Sequence, residues 1–410
     1  MNRRTGVVVF AASLAARLLL WWSSLPFAAS PVTQDSQEYC ALASQLLHFS
    51  FPSLIRTPVY PAYLVLISLS SPPPCANLNV IFLAQCLLDS VTAILVARAT
   101  WIFFKSDRAA LFAGLTWAIS PVAAAATTFV MTETLFMFLI AVALNIALSA
   151  RGMIGGIVEG LTWTALTLTR PSGVLLPLIV IFFLLIRSWR EWPRRLVPVI
   201  VYALLIGVWV GHNYRRSGEA VIATIDVTSI YTFEVAAVKM LDEFGPTRYA
   251  RMWILDGSGS EKVRDQFQQK FTDEIRSRNP SLPSSLYVGW EDLSVVRPIR
   301  DEMRRELNGR IGARAFTHIV GAIQTIRPVL HWPRGGWWMT ALEILRLILI
   351  AWGMIALVRK RQWWMLALAL SWTAYALLLP GVCGLWRFRS TAEVIWGVVI
   401  GAQTSDRKRP

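Results

Sequence analysis

Charge is scarce in this chain of 410 residues, with Asp, Glu, Lys and Arg together at only 16 %. A soluble globular domain carries about a quarter. With hydrophobic residues at 55 % and 19 Trp, the shortage excludes an ordinary water-soluble enzyme. Cysteine and histidine are rarer still, four of each. Four cysteines exclude a disulfide-dense scaffold. Cys40, Cys75 and Cys383 leave an outside disulfide open, and spacing alone does not pair them. His48, His212, His318 and His331 are scattered, so no Cys/His cluster has the spacing of a zinc site. No internal repeat appears, and no Asn-x-Ser/Thr sequon has a permitted middle residue.

Apolar runs of about 20 residues, the length that crosses a hydrocarbon core, fill the space that charge leaves. They lie near 6–24, 78–104, 109–126, 130–150, 153–169, 173–187, 196–213, 338–358, 363–380 and 390–403. No strand pattern of a barrel accompanies them, so the fold class is an all-α polytopic membrane protein of about ten spans. The start of the chain has the outline of a signal peptide, with Arg3, Arg4, an apolar run and Phe27-Ala-Ala-Ser30. Arg17 inside that run and the bulky Trp21 and Trp22 favour an uncleaved first helix.

With the N-terminus inside, the short cytoplasmic segments hold fifteen Lys and Arg. The short outside loops hold four: Arg56, Arg170, Arg387 and Arg389. This bias places both termini in the cytoplasm, in the manner of an inner-membrane protein. It also accounts for most of the net charge of +15, so the basic balance reflects topology and contact with membrane lipids rather than nucleic-acid binding.

The outside loops carry the unusual residues. The first, 25–77, holds Asp35, Glu38, Tyr39, Arg56 and Tyr60. Positions 35, 39 and 43 share a helix face, which predicts an interfacial helix starting near Asp35 and a second one after Pro58. Later turns hold Thr132-Glu133-Thr134, Thr169-Arg170-Pro171-Ser172-Gly173 and Trp386-Arg387-Phe388-Arg389. Charges at helix ends often only snorkel to water. Four loops bringing mixed signs to one membrane face point instead to a shared site. Arginines match phosphate geometry, and a partly buried carboxylate near a hydroxyl can act as a general base. The pair suits displacement of a phosphate leaving group on a lipid-borne donor.

These motifs, in this order and on one side, resemble those of bacterial GT-C-fold glycosyltransferases related to protein O-mannosyltransferases and lipid A aminoarabinose transferases. The resemblance implies a GT-C-type bundle, a polyprenyl-phosphate-linked sugar donor, an extracytoplasmic glycan or glycolipid acceptor and inversion at the anomeric carbon. It implies Asp35 as catalytic base, Glu133 as a second acid and Arg56 against the donor phosphate. Tyr39, Tyr60, Arg170, Arg387 and Arg389 join the expected substrate-binding set, and no metal or other cofactor is expected. The adjacent acid pair of the protein mannosyltransferases is missing, since Ser36 follows Asp35, so a protein acceptor is disfavoured.

The expected organisation is a transmembrane module at 1–213 containing the catalytic first loop, an extracytoplasmic segment at 214–337 and transmembrane helices at 338–410. In the middle segment, helical spacing appears at Val263, Phe267, Phe271 and Ile275 and again over 298–329. Trp332, Trp337 and Trp338 form an interfacial belt. Tyr231 and Glu234 lie within reach of the site or pack ordinarily. The competing functional reading is a transporter or flippase for a lipid-linked sugar, which calls for charges along a midplane cavity. The main intramembrane charges are Arg17, Arg98, Glu159, Glu343 and Arg346. A structural subunit would leave the one-sided loop charges unexplained.

Overall fold

A computed structural model describes residues 1–24, 33–69, 72–149, 152–225, 227, 230–256, 258–280, 293–327, 336–379 and 386–405. Cys383, Trp332 and the 27–30 stretch lie outside them. The described residues are all-helical, without a strand.

The first outside loop contains α2 (Gln34–Leu47) and α3 (Val59–Ile67), between α1 (Arg3–Ser24) and α4 (Leu78–Phe104). There follow α5 (Asp107–Ala118), α6 (Pro121–Ala126), α7 (Glu133–Ser149), α8 (Gly152–Thr167), α9 (Leu176–Arg187) and α10 (Trp192–Ser217). The middle segment forms α11 (Ala236–Arg251), α12 (Ser258–Arg278), α13 (Leu293–Leu307) and α14 (Ile311–Ile326). The chain returns to the bundle as α15 (Gly336–Arg359), α16 (Trp363–Leu378) and α17 (Ser390–Gly401).

The protein is a multi-pass membrane protein. Arg3–Trp22, Leu78–Phe104, Trp192–Ser217 and Trp337–Arg359 are long and apolar enough to cross a bilayer, and shorter apolar helices accompany them. The expected span at 109–126 is two helices instead. Ser120 caps α6, its hydroxyl accepting from Ala123 N at 3.3 Å, and Pro121 starts the new helix. The amphipathic stretch at 298–329 is likewise split, at Gly309, whose φ of 71° ends α13. Every residue of α17 is buried. A helix this short is accommodated at membrane depth because protein, not lipid, surrounds it. Gly353 lets α15 touch it, since a Cβ there would come 2.5 Å from Val399 O.

Among the described residues four ion pairs lie within the bundle, whereas Arg98 on α4 is exposed. Arg17 on α1 meets Asp89 on α4 at 2.7 Å, with exposures of 0 and 1 %. Trp117 Nε1 donates to the same carboxylate at 3.1 Å. Arg346 pairs with Glu393 and Arg389 with Glu343, which ties α15 to α17 and its preceding turn. Arg195 lies 3.7 Å from Glu159. The middle segment builds apolar clusters of its own, one around Tyr231, Phe271, Val296 and Met303 and another around Met240, Tyr249 and Trp253.

Candidate active site

Local chemistry aims the first-loop residues. Thr33 caps α2, its hydroxyl accepting from Ser36 N at 3.2 Å, in a reciprocal box with the Ser36 hydroxyl. Asp35 thus falls in the first helical turn, where the helix dipole favours a carboxylate. A disulfide between Cys40 and Cys75 ties α2 to the chain beyond α3. The rings of Tyr39 and Tyr60 meet edge to face at 4.9 Å. Val59 N donates to Leu168 O at 3.2 Å, which brings the Arg56 loop to the end of α8, just before Arg170.

Four loops then converge on one cluster. Arg56 Nη2 donates to Asp35 Oδ1 at 2.7 Å, and Arg387 Nη1 donates to Asp35 Oδ2 at 3.1 Å. Arg56 also donates through Nε to Glu38 Oε2 at 2.8 Å and lies 5.0 Å over the Tyr39 ring. On the far side, Arg170 Nη1 makes an ion contact of 2.8 Å with Glu133 Oε1, at an angle that is not that of a hydrogen bond. The Phe388 ring joins the halves, with the Arg170 guanidinium 5.2 Å and the Arg387 guanidinium 5.5 Å from its centroid. Side chains of Asp35 and Arg387 are each 30 % exposed, whereas Glu133 is 4 % exposed and its Oε2 accepts no hydrogen bond.

Burial pushes the Asp35 carboxyl up, but the Arg56 and Arg387 guanidinium groups outweigh it and hold the group below the ordinary carboxylate range. Asp35 is therefore ionised at neutral pH. Burial also raises the Tyr39 phenol above its usual value, with Arg56, Asp35, Glu133 and Arg170 all within electrostatic reach. A protonated phenol surrounded by two carboxylates and two arginines is a hydrogen-bonding centre, not a nucleophile. The Asp35 pairs are half-buried and keep contact with solvent, so they are not locked as a fully sealed pair is. A phosphate, like a carboxylate, can accept a guanidinium bidentately.

Asp35, Tyr39, Arg56, Glu133, Arg170 and Arg387 are thus brought together. Tyr60 stands behind them, fully buried, with its hydroxyl donating to Gln85 Oε1 at 3.4 Å. Arg389 is not in the cluster: it points into the bundle, 0 % exposed, against Glu343. Tyr231 bonds Thr272, and Glu234 accepts from Arg314 Nε at 2.6 Å, so both serve the middle segment. Two supports went unread in the sequence, and a third, Phe388, was named in its motif without a role. Gln85 donates to Thr127 O and Phe129 O at 3.0 and 2.9 Å, holding the approach to Glu133. Tyr375 donates to Ser172 O at 2.6 Å, holding the turn after Arg170. Phe388 sits between the two arginines. An amide within an apolar span was the one available signal, at Gln85. Among the described residues no group of three or more His, Cys, Asp and Glu is placed to hold a metal ion.

No family model matches this sequence, and no curated protein matches it. Solved structures do. The chain is similar to the archaeal oligosaccharyltransferase AglB from Archaeoglobus fulgidus in complex with an inhibitory peptide and a dolichol-phosphate. Identity is 13 %, coverage 97 % of this chain and 49 % of that one, and the TM-score 0.55. The same enzyme tethered to an acceptor peptide with an NVT sequon matches at 14 % identity, covering 98 % and 48 %, with a TM-score of 0.54. ArnT from Cupriavidus metallidurans bound to undecaprenyl phosphate aligns over 98 % of this chain and 78 % of its own at 14 % identity, but its TM-score of 0.44 is too low to bear on the fold. The fold is the GT-C type, as the motifs implied. The chain spans about half the length of the archaeal enzyme.

Proposed function

We propose that this protein is an integral membrane glycosyltransferase that moves a sugar from a polyprenyl-phosphate donor to an extracytoplasmic glycan or glycolipid. The observation that carries the reading is a single carboxylate, Asp35, held between Arg56 and Arg387 beside a second acid–arginine pair. In this reading the donor phosphate draws both guanidinium groups toward itself. Asp35, relieved of its cations, becomes the stronger base and takes the proton from the acceptor nucleophile. The nucleophile attacks the anomeric carbon from the face opposite the phosphate, the sugar–oxygen bond to phosphate breaks, and configuration inverts. Arginines neutralise the leaving phosphate, and we assign that task to them rather than to a metal. Glu133, with its unengaged oxygen, positions a hydroxyl of sugar or acceptor.

The dolichol-phosphate bound to AglB supports a lipid-phosphate donor on this fold. The Cys40–Cys75 disulfide, a bond that persists in oxidising compartments, supports an outward-facing first loop in agreement with the positive-inside bias. The flippase reading gains nothing comparable, because Arg17, Glu159, Glu343 and Arg346 are each in an ion pair and Arg98 is exposed on α4.

The test is incubation of the purified protein with a panel of polyprenyl-phosphate sugars, with free polyprenyl phosphate as readout. Release from at least one donor, lost in Asp35→Asn, is the expected outcome. Silence across the panel, with headgroup movement across vesicles, would replace the enzyme by a transporter.

A further inference from the structure

Away from the carboxylate–arginine cluster, the middle segment forms an open cavity of about 920 Å3. Its walls come from Glu219, Ala220, Val221, Val227 and Ile230, from α13 and from the start of α14. Four arginines line it, Arg300, Arg304, Arg305 and Arg314, against one carboxylate, Glu219. Between them lie apolar side chains, among them Val227, Ile230, Met303 and Leu307. A cavity with an arginine rim and an apolar floor fits a ligand that is itself anionic at one end and apolar at the other.

The arginines divide by how firmly they are held. Arg300 donates to Glu219 at 2.8 Å and Arg314 to Glu234 at 2.6 Å, so these two are fixed walls. Arg304 and Arg305 are exposed, 74 and 66 %, and lean on Asp301 at 3.9 Å and Glu302 at 3.1 Å within their own helix. The Arg304–Asp301 pair is exposed on both sides and contributes little, while Glu302, 2 % exposed, keeps Arg278 as a partner if Arg305 turns to a phosphate. The carboxylates nearby are shared: Glu219 also takes Arg297 at 2.9 Å, and Glu302 also takes Arg278 at 2.8 Å. Positive charge is in excess around the rim.

The apolar end has an entry. Ile311 lines the cavity and is 78 % exposed. It begins α14, on which Ile319, Ile323 and Ile326 also remain exposed, spaced by four and three along one helix face. An uncovered isoleucine face next to a basic pocket is the surface that an amphipathic helix lays into a headgroup layer. The cavity belongs to the same end of the molecule as Asp35. Thr224 N donates to Leu54 O at 2.8 Å, and Arg216 Nη1 donates to Phe51 O at 3.0 Å, so its wall rests on the loop that carries Arg56.

We propose that this cavity binds the headgroup of an anionic phospholipid, with Arg304 and Arg305 closing on the phosphate and the acyl chains leaving past Ile311 into the bilayer. The site stands independently of the glycosyltransferase reading, because it requires no transfer step. Bound lipid would hold the middle segment down on the Arg56 loop.

The experiment titrates the full chain in non-ionic detergent micelles with dioctanoyl phosphatidic acid, counting bound lipid by native mass spectrometry. One saturable lipid is expected. Affinity should fall about ten-fold or more in Arg304→Gln/Arg305→Gln, which removes two charge-assisted contacts. It should also fall in Ile311→Asp, whose exposed position leaves the fold intact. Dioctanoyl phosphatidylcholine should bind at least about ten-fold more weakly, since its headgroup carries no net charge. Both variants binding as the parent protein does, or equal affinity for the two lipids, would overturn the proposal. So would displacement by glycerol 3-phosphate at the lipid's own concentration, which would make the cavity a phosphate site without a lipid requirement.

Discussion

Arg387 and Arg389 stand two residues apart in one turn and belong to opposite worlds. Arg389 is sealed in the bundle on Glu343 with no exposed surface, and Arg387 reaches Asp35 at a mouth where both partners are 30 % exposed. The side chains are the same and so is the partner chemistry, yet the consequences differ. A sealed pair cannot change partners, because either ion alone in the low-dielectric interior costs several kcal/mol. An open pair holds its ions weakly and can trade a carboxylate for a phosphate. Arginine–carboxylate pairs serve this molecule in both ways, and burial decides which.

Substitutions in the two sets should therefore separate activity from stability. The largest effect is expected from Asp35→Asn, with transfer falling by about 10²–10⁴ and the thermal transition unmoved. An active variant would remove Asp35 from the chemistry. Next comes Glu343→Gln in the sealed set, which strands a buried Arg389 and should cost about 3–5 kcal/mol of stability. A denaturant or thermal comparison in one detergent measures it. A cost below about 1 kcal/mol would mean the pair behaves as a surface pair.

A third variant, Arg387→Ala, probes the same turn from its open side. Stability should change little, and the pH profile should move. The Asp35 carboxyl is held low by Arg56 and Arg387, so the acid limb of kcat/KM for the donor belongs below about pH 3.9, the unperturbed value. Removing one cation lets burial raise the group, and the limb should shift upward. An unmoved limb would show that Arg387 does not act on Asp35.

The smallest effect belongs to the middle segment, where His318 accompanies Arg314 on Glu234 and its Nδ1 lies 2.8 Å from Leu378 O. The hydrogen bond with Glu234 raises the imidazole above its usual value, with burial opposing. Its stabilisation is complete below about pH 6.5 and is lost as pH rises through the higher folded value. Thermal stability should thus decline gently above neutrality in the parent protein and more weakly in His318→Gln. Equal slopes would detach the histidine from the clamp.

Much of the fold was legible because apolar length is a one-dimensional property. The α4, α10 and α15 spans follow from it, while α2 and α3 followed from the spacing of positions 35, 39 and 43 and from Pro58. Local exceptions came from chemistry the hydropathy pattern smooths over, such as the Ser120-Pro121 start inside an apolar run. The site was legible by loop: Asp35, Arg56, Glu133, Arg170 and Arg387 fall in alternating loops of the sequence, and their side chains meet in the structure. Arg389 was grouped with Arg387 because both lie in one outside turn. In a tight 3₁₀ turn, residues two apart point in different directions, and hydropathy does not say which direction is inward. Gln85 and Tyr375 escaped for a related reason, since each acts on a residue far away in the chain.

By itself, then, the sequence determined that this protein lies in a membrane as a helical bundle and that its charges fall mainly in the segments between the apolar runs. Both follow from the cost of placing polar groups in lipid, which acts residue by residue along the chain. Only the tertiary structure decided which arginine faces Asp35 and which is locked on Glu343. It likewise chose Cys75 for Cys40 and opened a basic cavity between α13 and α14. Those outcomes depend on distances between segments remote in sequence, and electrostatic and hydrogen-bond energies are fixed by such distances and by the burial around them.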